Sequence, residues 1–187
     1  MSKAKPAYGT KYLNHFLKSK CAPDILLNKL YPNHKELTES YGAFEATTHL
    51  PPGYEWNNPG VTVVCVGDGH RPQTAATFAY RTAWQCYSVD PQLRPRIYNI
   101  KRLSLHRCKV EEFGFHEKKN VLLVCVHSHA PLDKAVQSIT NYNQLAIISI
   151  PCCVHQKIDR PPDLVYRDEN IHSPKNEVLV WKSIEEK

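Results

Sequence analysis

"VTVVCVGDGHRPQTAATFAYRTAWQCYSVDP", residues 61–91, is the stretch on which the reading of the chain turns. It opens on Val61 to Val66, a β-branched run too short for a stable helix and almost without polar interruption. Such a run fits a strand buried on both faces, as in a parallel sheet. It breaks on Gly67-Asp68-Gly69. The chain holds only 7 glycines, and two of them stand here, one residue apart. Pro72 follows where the first position of a helix is expected, then helix-compatible residues as far as Ala83. "WQCYSVD" is a second strand and stops on Asp90-Pro91.

This order has a physical meaning. In a doubly wound sheet a ligand lies beyond the C-terminal ends of the strands, where the strand order reverses. The backbone there must turn tightly and come close to the ligand, and glycine allows both. The helix that follows aims its first N–H groups at the same place. An acidic residue about 20 residues further on, ending the second strand, can bond ribose hydroxyls, and Asp90 occupies that place. The simpler alternative is a tight turn with Asp68 capping the helix.

Working outward, the same alternation continues. "RLSLHRCKV" is a weaker third strand, "NVLLVCVHSH" (120–129) a fourth, "LAIISIPCCV" (145–154) a fifth and "EVLVWKSI" (177–184) the last. "PLDKAVQSITNYN" (131–143) reads as a helix, and the polar, proline-containing stretch 155–176 as a loop. Towards the N-terminus, residues 8–41 read as short helices, with the last ending at Gly42. "LPPGYEWNNPG" (50–60) reads as a linker or ordered loop. The expected architecture is α/β: a Rossmann-like, doubly wound, mainly parallel sheet (56–187) with an N-terminal helical extension (1–55).

The order of parts over about residues 60–155 resembles class I S-adenosylmethionine-dependent methyltransferases. The fourth strand ends in Val126-His127-Ser128-His129 and the fifth in Pro151-Cys152-Cys153, which resembles a methyltransferase-like subgroup with a Pro-Cys-Cys strand end. The sequence departs from the family's acidic-x-Gly-x-Gly-x-Gly turn. Cys65 holds the acidic position and Arg71 that of the third glycine. The resemblance implies an S-adenosylmethionine cofactor held by Gly67, Asp68, Gly69 and Asp90, with Glu111 after the third strand. It implies methyl transfer to an unknown acceptor, with segments 42–60 and 155–176 closing over the cleft. His127 is the candidate general base, because a neutral imidazole takes a proton near neutral pH. His129, Pro151 and Cys152 would line the cleft. The degenerate glycine turn also fits a second reading, a non-catalytic binding protein on the same scaffold. A nicotinamide-dependent oxidoreductase fits less well, since Pro72 stands where Gly-x-Gly-x-x-Gly needs its last glycine.

His127, His129, Cys152, Cys153 and His155 raise the question of zinc. Alternation along a strand sends neighbouring side chains to opposite faces, and no Cys-x-x-Cys pair occurs, so no metal is expected. The 7 cysteines are odd in number and several lie in apolar runs, which fits free buried thiols in a reducing, cytoplasmic setting. The N-terminal residues lack the apolar core of a secretory signal, and no run of 18 apolar residues exists to span a membrane. The formal net charge is +6, and the cations concentrate in residues 94–109. There Arg94, Arg96, Lys101 and Arg102, interleaved with Tyr98 and His106, could hold RNA or DNA at the cleft mouth; the alternative is a solvated basic face.

Overall fold

The computed structural model describes residues 8–152 and 158–184. A seven-stranded sheet carries the molecule, in the order β3-β2-β1-β4-β5-β7-β6. The strands are β1 (Val61–Val66), β2 (Gln85–Val89), β3 (Leu103–His106), β4 (Asn120–Val126), β5 (Gln144–Ile150), β6 (Leu164–Arg167) and β7 (Glu177–Ile184). Neighbours from β3 to β5 pair in parallel, whereas β7 pairs antiparallel with both β5 and β6. All six residues of β1 are buried, as its continuous apolar run requires of a central strand.

The pleat divides the core in two. Val61, Val63, Cys65, Leu122, Val124, Ala146 and Ile148 face the helices α1 (Lys11–Leu17), α2 (Ala22–Leu27), α3 (His34–Glu45) and α4 (Gln73–Arg81). Val64, Val66, Val121, Leu123, Leu145 and Ile147 face α5 (Leu132–Gln137), Phe113, Phe115 and Trp181. The N-terminal helices thus share one hydrophobic core with the sheet. Leu37, Tyr41 and Phe44 of α3 are buried there, and full burial of such a side chain contributes about 1.5–3 kcal/mol. Asn33 starts α3 by accepting the Glu36 N–H at 3.0 Å, and the helix runs past Gly42 to Glu45.

Three elements differ from the sequence reading. β6 lies inside the stretch read as loop: it is four residues long, follows Pro161-Pro162, and is an edge strand with alternate residues exposed. The helix expected over 131–143 stops at Gln137. Beyond it the chain bends to bridge Ile139 to Phe115, and Asn141 takes a positive φ of 56°. Segment 42–60 does not close over the C-terminal edge of the sheet. Tyr54 donates to the carbonyls of Val121 (2.9 Å) and Gln144 (3.1 Å), at the opposite edge where β4 and β5 begin.

Candidate functional site

The strand order reverses between β1 and β4, and a cleft of about 410 Å³ opens beyond their C-terminal ends. Its walls are the turn after β1, the connection after β2, the end of β4 and the first half of α3.

The turn after β1 holds both of the expected glycines, and each has its own reason. Gly67 has φ +73°, and a Cβ there would lie 2.9 Å from Ser128 Cα. The turn after β1 and the loop after β4 therefore touch, which only glycine permits. Gly69 has φ +77° and faces open space, with no atom within 4 Å of where a Cβ would be.

The Gly67 and Gly69 N–H groups of this turn are taken internally. Gly67 donates to the Val89 carbonyl at 2.9 Å. Asp68 reaches forward to α4, accepting from Thr74 N at 2.8 Å and Ala75 N at 3.1 Å, while Ser88 Oγ donates to the same carboxylate at 2.9 Å. Pro72, the residue preceding α4, has no capping side chain, so Asp68 supplies the cap from four residues upstream. Burial pushes the Asp68 carboxyl up to about 6, against the pull of those hydrogen bonds. The α4 N-terminus is therefore filled by the protein's own carboxylate and offers no free N–H cradle to a ligand phosphate.

Asp90 is 8% exposed and does not line the cleft. One oxygen accepts from Gly69 N at 2.8 Å and the other from Gln92 N at 2.7 Å. It ties the two loops together, aided by Arg94 N donating to the His70 carbonyl at 3.1 Å. From this connection, Gln92 and Arg94 present themselves to the cleft instead.

His127 follows β4 with φ +48°, a left-handed conformation unusual for a residue with a Cβ. Its ring lines the cleft, with Nδ1 3.2 Å from Glu39 Oε1 and Nε2 3.2 Å from the Lys175 carbonyl oxygen. Each ring nitrogen thus sits beside a protein oxygen. Glu39 also faces Lys35 Nζ at 2.8 Å.

The other expected residues lie elsewhere. Glu111 is exposed in a short 3-10 helix (Val110–Glu112) after β3, His129 is exposed after β4, and Pro151 and Cys152 are half-buried after β5; none lines the cleft. Cys152 Sγ lies 3.6 Å from the His127 carbonyl oxygen. Cys153 and His155 fall outside the described residues. Among the described residues, no group of three or more His, Cys, Asp or Glu could hold a metal ion, and no helix is long and apolar enough to cross a membrane. Among the described residues, Cys21, Cys65, Cys86, Cys108 and Cys125 are free thiols. Burial pushes the Cys65 and Cys86 thiols well up and that of Cys125 to about 12, which leaves them unreactive.

The basic segment does not gather at the cleft mouth. Arg94 lines the cleft, while Arg96 lies over the Tyr98 ring, 5.2 Å from its centre. Lys101 and Arg102 precede β3, at the opposite edge of the sheet. Arg102 donates to the Ala79 and Thr82 carbonyls, both at 2.9 Å, and so caps the C-terminus of α4. Sequence reasoning missed the α3 wall of the cleft, Lys35, Glu36, Glu39 and Ser40. The available signal was their spacing, which places them on one polar face of a helix otherwise buried.

No protein-family model matches the chain, and no curated protein matches it. Among solved structures it is similar to a point mutant of MtNAS in complex with S-adenosylmethionine, with a TM-score of 0.56 and 12% identity over 92% of this chain and 71% of that one. A second structure, MtNAS in complex with MTA and tNA, aligns with a TM-score of 0.47 and 14% identity, covering 92% of this chain and 69% of the other. The first likeness bears out the class of fold, a mainly parallel, Rossmann-like α/β sheet.

Proposed function

We propose that the chain binds S-adenosylmethionine or its product in the cleft between β1 and β4 and acts as a methyltransferase-like protein. The observation that carries the reading is the closed α4 N-terminus. With Asp68 on Thr74 and Ala75, the cleft rejects a dinucleotide pyrophosphate and keeps room for a nucleoside that bears no phosphate. Gly69 supplies the open backbone against which that nucleoside lies, and Gln92 and Arg94 supply polar contacts from the β2 side. The neighbour crystallised with S-adenosylmethionine supports the choice of ligand. The Pro151-Cys152 strand end adds the resemblance to the Pro-Cys-Cys subgroup. If methyl transfer follows, the protein's task is to place acceptor and methyl group in line and exclude water.

A second reading is a binding protein without catalysis. It is favoured by His127, whose two ring nitrogens already lie against the protein's own oxygens, Glu39 Oε1 and the Lys175 carbonyl. Thermal melting with S-adenosylhomocysteine tests the shared part of both readings. A ligand at 100 times its dissociation constant adds about 2.7 kcal/mol of stability, and an unmoved melting temperature at millimolar ligand overturns them. Transfer of a labelled methyl group from S-adenosylmethionine to a cell extract separates the two.

A further inference from the structure

Three carboxylates line the cleft among the described residues: Glu36, Glu39 and Asp68. Two of them are satisfied. Asp68 accepts from Thr74, Ala75 and Ser88. Glu36 accepts from Gln73 Nε2 at 2.5 Å and from Asn33 Nδ2 at 3.4 Å. Glu39 differs. It is 3% exposed, yet its Oε1 has no donor aimed at it in hydrogen-bond geometry. Lys35 Nζ approaches that oxygen at 2.8 Å and balances its charge, and His127 Nδ1 lies 3.2 Å away, neither aligned on it. A buried carboxylate oxygen left in that state retains the cost of lost hydration.

We propose that Glu39 is the cleft's receptor for a protonated amino group of the ligand. The inference rests on the cleft being the ligand site. An ammonium group is compact and carries three donors that rotate freely, so it can supply the aligned bond that Oε1 lacks. It would take the place of Lys35, whose side chain is 42% exposed and can turn out to water at little cost. His127 stays, fixed by the Lys175 carbonyl on its far side. The amino group comes either from the amino-acid end of an S-adenosylmethionine-type cofactor or from an amine acceptor.

The test is calorimetric titration of the full chain and two variants, Glu39→Gln and Lys35→Ala. The probes are S-adenosylhomocysteine, 5′-methylthioadenosine (the same nucleoside thioether without an amino-acid end) and 1,4-diaminobutane. If the amino group is the cofactor's, Glu39→Gln weakens S-adenosylhomocysteine about 10- to 100-fold and leaves 5′-methylthioadenosine unchanged. If it is the acceptor's, Glu39→Gln weakens 1,4-diaminobutane and leaves both thioethers unchanged. In either case Lys35→Ala tightens the same ligand, because a competitor is removed; a purely structural Glu39 gives no such gain. The proposal is overturned if Glu39→Gln leaves all three affinities unchanged, or weakens the two thioethers alike. If neither thioether binds the parent, the proposed function fails by itself. The diamine then still decides Glu39: binding lost in Glu39→Gln supports the role, and no binding by the parent overturns it.

Discussion

The backbone N–H of Gly69 donates to the Asp90 carboxylate at 2.8 Å, joining the turn after β1 to the end of β2. Asp90 thus holds in place the turn that borders the cleft. Asp90→Ala removes two charge-assisted bonds to backbone N–H groups from a buried site, and the expected loss of stability is about 2–4 kcal/mol. Chemical denaturation measures it. A variant as stable as the parent but deficient in ligand binding would restore the direct ribose contact expected from sequence.

The two glycines of the turn should respond differently to alanine. Gly67→Ala meets both the φ of +73° and the Ser128 backbone, so a loss of about 2–4 kcal/mol is expected. Gly69→Ala meets only the φ of +77°, at about 1 kcal/mol, but places a methyl group in the open space assigned to the ligand. Melting curves of the two variants, with and without S-adenosylhomocysteine, check both halves. The expected order is Gly67→Ala as the less stable protein and Gly69→Ala as the weaker binder.

Asp68 gives a dependence on pH. Its carboxyl is raised from 3.8 to about 6 in the folded protein, so folding takes up a proton between those values. This group's contribution to stability is therefore greatest below pH 4, falls as pH rises towards 6, and is level above that. Asp68→Asn cannot titrate. The stability of the parent relative to Asp68→Asn should accordingly grow as pH falls from 6 to 4, by up to about 3 kcal/mol. A gap that shrinks over that range would mean that the hydrogen bonds from Thr74, Ala75 and Ser88 outweigh burial.

Arg94 and Arg102 belong to one basic segment but to opposite edges of the sheet. Arg102→Ala uncaps α4 and should lower the melting temperature with ligand affinity intact. Arg94→Ala should weaken ligand binding with the melting temperature intact. If the segment binds RNA or DNA, a titration across a salt series should show dependence on Arg94 and Arg96 and none on Arg102, whose guanidinium is held by the Ala79 and Thr82 carbonyls.

The sheet was legible because burial on both faces leaves an unmistakable run: β1, β4 and β5 are each buried over almost their whole length. β6 was not legible, since four residues with one exposed face carry too little pattern to set against Pro161-Pro162. The turn at Gly67 and Gly69 could be located from sequence, but the reason for each glycine could not. Contact between Gly67 and Ser128 links loops far apart in the chain. Asp90 had the right position for a ligand contact, and only the structure shows its oxygens given to Gly69 and Gln92. Glu39 was invisible for a similar reason. On a polar helix face it reads as a solvated charge until α3 is packed against the end of β4.

The cleft is proposed to take a nucleoside thioether and refuse a dinucleotide, because Asp68 fills the α4 N-terminus. The most direct measurement is calorimetric titration of the purified chain with S-adenosylhomocysteine and, separately, with NAD. Saturable binding of one S-adenosylhomocysteine per chain is expected, with no heat above dilution for NAD. Binding of NAD, or of neither ligand, would contradict it.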